Sequence, residues 1–209
     1  EAVGGAPRDE AVGTTDRVAW FAPGELDRLR LMPFTARLLG RPVTPLDGVR
    51  PVPGRVPLPP ARTDRGQRFA AYAVATDPAG RILLTRIAPG FPGAGRWHLP
   101  GGGTNFGEQP ADGVLRELAE ETGQAGRVVG LQAVGHSHNP RALGPEGYPI
   151  DWHAVRVVFR VAVDLPTEPY VTEAEGGSTV EARWFTWADA RRLTLTQPAA
   201  RALDEPCPH

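Results

Sequence analysis

Cysteine is almost absent from this chain of 209 residues: Cys207, near the last residue, is the only one. A lone cysteine offers no internal disulfide, which fits a reducing cytoplasm. Long apolar runs are also missing, and none approaches the roughly 20 residues a bilayer-spanning helix needs. Charge of one sign is not in excess either. A formal net charge of -1 and a pI near 6.6 remove the electrostatic case for nucleic acid or a membrane surface as the main partner. The sequence starts at Glu1 with no charged-then-apolar leader, so a signal peptide is not expected and the expected location is cytoplasmic. No internal repeat is visible. What is present, 41% hydrophobic and 22% charged residues, suits one globular enzyme domain with an appendage.

The appendage is expected over residues 1–65 and the enzyme domain over 66–209. Residues 1–17 are rich in Gly, Ala and charge without periodicity, the composition of a mobile tail. From Trp20 to Leu39, Leu26, Leu29, Phe34 and Leu38 fit short helices broken at Pro33, with Pro23 near the first start. Seven prolines (42, 45, 51, 53, 57, 59 and 60) then make an extended linker. Strand patterns follow. Phe69 to Thr76 and Arg81 to Arg86 flank the turn Asp77-Pro78-Ala79-Gly80. Later strands are expected at Val128 to Ser137, at the β-branched run Ala154 to Val163 and at Glu181 to Thr186. Long loops are expected from Asn139 to Ile150 and from Asp164 to Thr179, and short helices near Ala188 to Leu193 and Thr196 to Leu203.

Between the strands lies the densest chemistry, Gly102 to Gln124. Ala111, Val114, Leu115, Leu118 and Thr122 recur at the three-and-four spacing of a helix with one buried stripe. Pro110 suits the first turn, Asp112 complements the positive end of the dipole, and Gly123 is a left-handed stop. Glu117, Glu120 and Glu121 then share a face, where like charges repel unless solvent screens them or a cation neutralises them. Oxygen-only ligands select Mg²⁺ or Mn²⁺. The plainer alternative is a solvated acidic face with Arg116 as ion-pair partner. The turn Gly101-Gly102-Gly103 before this helix lets backbone approach a phosphate or metal closely.

The spacing of Gly102, five residues, Glu108, seven residues, then Arg116-Glu117-Leu118-x-Glu120-Glu121-x-Gly123 resembles the box of the Nudix hydrolases, with Trp97-His98-Leu99-Pro100-Gly101 as lead-in. Gln124 departs from the aliphatic residue usual there and is expected to loosen packing after the helix. The resemblance spans roughly residues 66–195. It implies an α/β fold, a Nudix-type α/β/α sandwich with a mixed sheet, here with a helical and proline-rich N-terminal extension. It also implies metal-dependent hydrolysis of a nucleoside diphosphate linked to another moiety. Metal binding would fall to Glu117, Glu120 and Glu121 with the Gly101 carbonyl. Catalytic work would fall to Glu120, Glu121, Arg116, which orients a neighbouring carboxylate, and Glu108, at the helix start. The general base comes from the box or from a later loop, where Glu173 and Glu175 are the candidates; Glu181 is as ambiguous. His136 and His138 alternate along a strand and are expected to face solvent.

Substrate contacts are expected from Arg86, Arg96, Trp97 and Pro140, the proline standing close to where ADP-ribose-hydrolysing relatives tend to carry one. Phe91, Tyr148, Trp152 and Arg141 are weaker candidates. ADP-ribose leads by a small margin over nucleoside triphosphates. The competing class is a Nudix-fold sensor that binds a nucleotide or sugar-nucleotide without cleaving it. Retention of all the mutually repelling glutamates favours turnover. Under either reading the N-terminal segment can serve as a regulatory or homodimer-forming arm.

Overall fold

In the computed structural model, residues 17–44, 64–143, 149–172 and 177–204 are described. The chain divides into two compact units, Glu1–Pro59 and Pro60–His209. In the first, a 3₁₀ turn spans Pro23–Arg28 and helix α1 spans Pro33–Leu38, each with proline at its start, where the missing N–H costs nothing. Arg41 ties this segment together, donating to Asp27 Oδ1 at 2.7 Å and to the Pro23 carbonyl at 2.9 Å. The first 16 residues and the proline run from Pro45 onward lie outside the described residues.

The second unit is built on β1, Arg65–Thr76, in the middle of a seven-stranded mixed sheet. It pairs in parallel with β6, Pro149–Ala162, from Arg65↔Asp151 to Thr76↔Ala162. On its other edge it meets β2, Ile82–Ile87, across the Asp77–Gly80 turn, and β4, Gly101–Gly103, both antiparallel. Gly80 takes the left-handed φ of 72° that this turn requires, and Arg81 donates its N–H and its Nε to the Asp77 carboxylate at 2.8 Å each. Strand β2 also carries β3, Trp97–His98, and β7, Thr179–Phe185, while β5, Arg127–Leu143, closes the other edge against β6.

Alternation along the strands sends side chains to two cores. Ala71, Ala73, Ala75, Leu83, Val157 and Val161 face helix α2, Pro110–Thr122, and pack on its Val114 and Leu118. Val74, Ile82, Leu84 and Leu99 face the opposite side, against α3, Trp187–Ala190, and α4, Gln197–Asp204. Helices on both faces of one sheet make the α/β/α sandwich. Burying a side chain such as Leu118 stabilises the unit by roughly 1.5–3 kcal/mol, and it fixes which face of α2 is left for the acids. Pro110 and Gly123 bound α2 as expected; Gly123 has φ 68° and donates its N–H to the Ala119 carbonyl at 2.8 Å.

Two expectations are corrected. The long loop from Asn139 to Ile150 is largely strand: β5 runs to Leu143 and β6 begins at Pro149, with Ala142 opposite Ile150. Pro140 interrupts the strand pattern, and the ladder absorbs it in a register shift between Asn139 and Ala142. Gln124 does not loosen the end of α2. It is fully buried, its amide donating to the Thr167 hydroxyl at 2.9 Å and to the Thr122 carbonyl at 3.1 Å, while its Oε1 accepts from the Thr167 N–H at 2.9 Å. A satisfied buried amide fastens the segment after β6 to the helix. Among the described residues no helix is long and apolar enough to cross a membrane.

Candidate active site

The glycine turn lies against β1 because nothing larger fits. A Cβ at Gly101, where φ is 137°, would stand 2.3 Å from the Ala71 carbonyl oxygen, and one at Gly102 would stand 2.8 Å from the Glu117 carboxylate. Removing side chains here thus makes a cradle for an acidic group.

Arg116 organises the acids of α2. Its Nε and Nη2 grip both oxygens of Glu108 at 2.9 and 3.1 Å, and Nη1 donates to Glu117 at 3.0 Å and Glu120 at 2.9 Å. Nη2 also reaches the Gly103 carbonyl at 3.2 Å. The two-pronged grip matches the guanidinium fork, and the one charge relieves part of the repulsion expected along this face. Its hydrogen bond to Arg116, and then that from the Asn105 N–H, hold the Glu108 carboxyl below the usual carboxylate range. Glu108 in turn pushes the Arg116 guanidinium further up.

Glu121 stands apart. Only 3% exposed, it accepts from the Gly101 N–H at 2.8 Å and from the Thr179 hydroxyl at 2.5 Å. Those contacts place its carboxylate at the inner end of a cleft of about 370 Å³, lined also by Arg68, Tyr72, His98, Arg156 and Thr196. Burial first, and the Arg156 charge second, push His98 down to about 4, so its ring is neutral at pH 7. It meets the Thr196 hydroxyl at 2.6 Å through Nδ1.

Glu117, Glu120 and Glu121 thus come together with Gly101 and Gly102, but their oxygens are turned to different partners. Among the described residues no three His, Cys, Asp or Glu side chains stand gathered as a finished metal cage. The donor set is nonetheless all oxygen, and Gly102 leaves room for the Glu117 carboxylate, which fits a hard divalent cation. Glu120, whose side chain is 46% exposed, is held by Arg116 alone among the side-chain contacts described.

Of the residues expected at the substrate, Phe91 lines this cleft, whereas Arg86, Arg96, Trp97 and Pro140 do not. Trp97 packs edge-on against Phe185 at 4.9 Å, within the second core. Arg86 is ion-paired with Glu181 at 3.3 Å, Arg96 is exposed in the turn before β3, and Pro140 sits in the β5 irregularity. His138 bonds Asp151 at 2.5 Å and packs edge-on against His153, and none of the three lines this cleft. Glu173, Glu175, Tyr148 and Cys207 lie outside the described residues. On the near side of that gap, Thr172 donates its N–H and its hydroxyl to the Glu120 carbonyl at 2.9 and 2.8 Å; on the far side stands Thr179.

Arg68, Tyr72, Arg156 and Thr179 were not anticipated. Strand alternation signals that Arg68 and Tyr72 share a face, but only the register brings Arg156 beside them.

A family model described as NUDIX domain matches residues 66–205. The structure is similar to a MutT NUDIX hydrolase from Burkholderia pseudomallei at 28% identity, with a TM-score of 0.52 over 67% of this chain and 98% of that one. A NUDIX hydrolase from Nitrosomonas europaea gives 20% identity and a TM-score of 0.51 over 66% and 86%. The NUDIX domain of Shewanella oneidensis NrtR, complexed with ADP ribose, gives 20% and 0.50 over 67% and 86%.

Proposed function

Since the chain belongs to the NUDIX domain family, we propose that it is a metal-dependent pyrophosphohydrolase that cleaves a nucleoside diphosphate linked to another moiety. The observation that carries this reading is the joining of four glutamates, one arginine and a glycine cradle, of which Glu121, Gly101 and Gly102 line the cleft. Members of this family generally use divalent metal ions. Here Glu117, Glu120, Glu121 and the Gly101 carbonyl would hold Mg²⁺ or Mn²⁺. When bound, such an ion neutralises charge on the phosphoryl oxygens and acidifies water.

The protein's own groups do the positioning. Arg116 keeps Glu117 and Glu120 near the cradle, and Glu108 holds Arg116 by both oxygens. The Gly101 N–H and the Thr179 hydroxyl fix Glu121 in the cleft. Water adds to one phosphorus as the bond from that phosphorus to the bridging oxygen breaks. The proton passes to a carboxylate, either of the box or of Glu173 or Glu175. Two phosphate-bearing products leave, or a monophosphate and pyrophosphate when the substrate is a triphosphate.

ADP-ribose and nucleoside triphosphates are the first substrates to test. The Shewanella oneidensis domain holds ADP ribose, so this fold accommodates that ligand. Chromatography of reactions with Mg²⁺ and Mn²⁺ is expected to show AMP and ribose 5-phosphate from ADP-ribose. Pyrophosphate from triphosphates, with ADP-ribose untouched, would reverse the order. Tight binding without any cleavage would replace the enzyme by a nucleotide sensor.

A further inference from the structure

The strand side of the cleft carries charge of the opposite sign. In the parallel ladder Arg156 of β6 stands opposite Ala70 of β1, so Arg68 and Tyr72, two residues to either side, flank it on the same face. All three line the cleft beside Gly101, Gly102 and Glu121.

Arg156 is half-buried and held in place, whereas Arg68 is exposed, and neither forms an ion pair among the described residues. Arg156 donates to the Ser137 hydroxyl at 2.8 Å and is hydrogen-bonded to Tyr72. Arg68 lies over Gly103, where a Cβ would come within 2.6 Å of its Nε. Among the described residues no carboxylate forms an ion pair with either, whereas Arg116 binds three acids and Arg86 binds Glu181. Among the described residues Glu121 is the carboxylate lining this cleft, and it is bonded to Gly101 and Thr179, so an arriving anion gives the half-buried Arg156 the ion pair it lacks. The planar fork matches phosphate oxygens in pairs. His98, neutral in the same cleft, adds no charge, so anion recognition rests on the two arginines.

We infer that Arg68 and Arg156 form a phosphate subsite on the strand side of the cleft, gripping the phosphoryl group of the substrate that lies farther from the acidic helix. This deepens the hydrolase reading and rests on it for the word substrate; the anion site itself does not. A diphosphate brings more charge and more oxygens to the two guanidiniums than a monophosphate does.

The test is calorimetric binding of ADP and AMP to the full chain in metal-free buffer, where no turnover intervenes. ADP is expected to bind more tightly than AMP. Arg68→Gln and Arg156→Gln are each expected to weaken ADP binding about 10-fold, the loss of one charge-assisted pair. Arg156→Lys, which keeps the charge and loses the fork, should fall between. Arg68 is exposed, so its variant keeps the test valid should Arg156→Gln melt early. In reactions with metal the same changes should raise KM and leave kcat within about three-fold. Parental ADP affinity in both glutamine variants, or no ADP binding by the parent, overturns the subsite. ADP binding that depends on the arginines, with no cleavage of any diphosphate, upholds the subsite and defeats the hydrolase reading instead.

Discussion

The acidic helix and the strand floor of the cleft are both rich in charge, and they dispose of it in opposite ways. On the helix side Glu108, Glu117 and Glu120 share Arg116, and Glu121 is satisfied by a peptide N–H and a hydroxyl. On the floor, among the described residues, Arg68 and Arg156 have no acid to pair with. The helix side is assembled from 14 consecutive positions, Glu108 to Glu121, whereas the floor draws on β1, β3, β6 and the segment before α4. A region whose acids already have hydrogen-bond partners is arranged before any ligand arrives; guanidiniums without an ion pair are completed by the ligand.

The largest break in that comparison should come from the acids. Glu120→Gln and Glu121→Gln are each expected to lower turnover by roughly 10²–10⁴-fold with helix content unchanged by circular dichroism. They should differ in stability. Glu120 is half-exposed and its variant should melt like the parent. Glu121 is buried between two donors, so an amide nitrogen placed there loses an acceptor and costs about 1–3 kcal/mol. Parental turnover in both variants would reduce the acidic face to a structural one.

Next in size is the hub. Arg116→Ala leaves Glu108, Glu117 and Glu120 without their common partner and should cost about 2–4 kcal/mol. Mn²⁺ should then raise its melting temperature more than it raises the parent's, because the cation supplies the lost charge. An equal rise in both would show that Arg116 and metal act on separate groups.

His98 tests the floor through pH. Its folded pKa, about 4, lies below the unfolded value of 6.5, so the unfolded chain binds the proton more readily in that window. Stability is therefore full above pH 6.5 and falls as pH drops toward 4, by roughly 3 kcal/mol. His98→Asn should flatten this part of the pH profile of the melting temperature. An unchanged slope would assign it to other groups. Smallest of all, Arg127→Gln removes an exposed pair with Asp164 and should move the melting temperature by no more than about 3 °C.

Legibility followed distance along the chain. Pro110, the apolar stripe through Val114 and Leu118, and Gly123 specify α2 through neighbours within a few residues, and both ends are where those residues put them. Both cores follow from alternation on β1 and β2. Pro140 concealed the continuation of β5, since a bulge that admits proline depends on the partner strand. Gln124 read as a packing flaw because Thr167, its partner, is 43 residues away. The Thr179 contact with Glu121 spans 58 residues. Arg156 reaches the cleft only through the β1–β6 register. Arg86 and Trp97 looked available for substrate because Glu181 and Phe185, which occupy them, come from a strand much later in the chain.

The proposed role of the acidic helix is to hold the metal for attack of water on a diphosphate. Its most direct test is to incubate the full chain in ¹⁸O-labelled water with ADP-ribose and, separately, nucleoside triphosphates, each with Mg²⁺, with Mn²⁺ and with chelator, and to weigh the products. The account predicts cleavage with either metal, ¹⁸O in one phosphate-bearing product, and none of it with chelator. Cleavage undiminished by chelator, or no cleavage of any diphosphate compound with either metal, would contradict it.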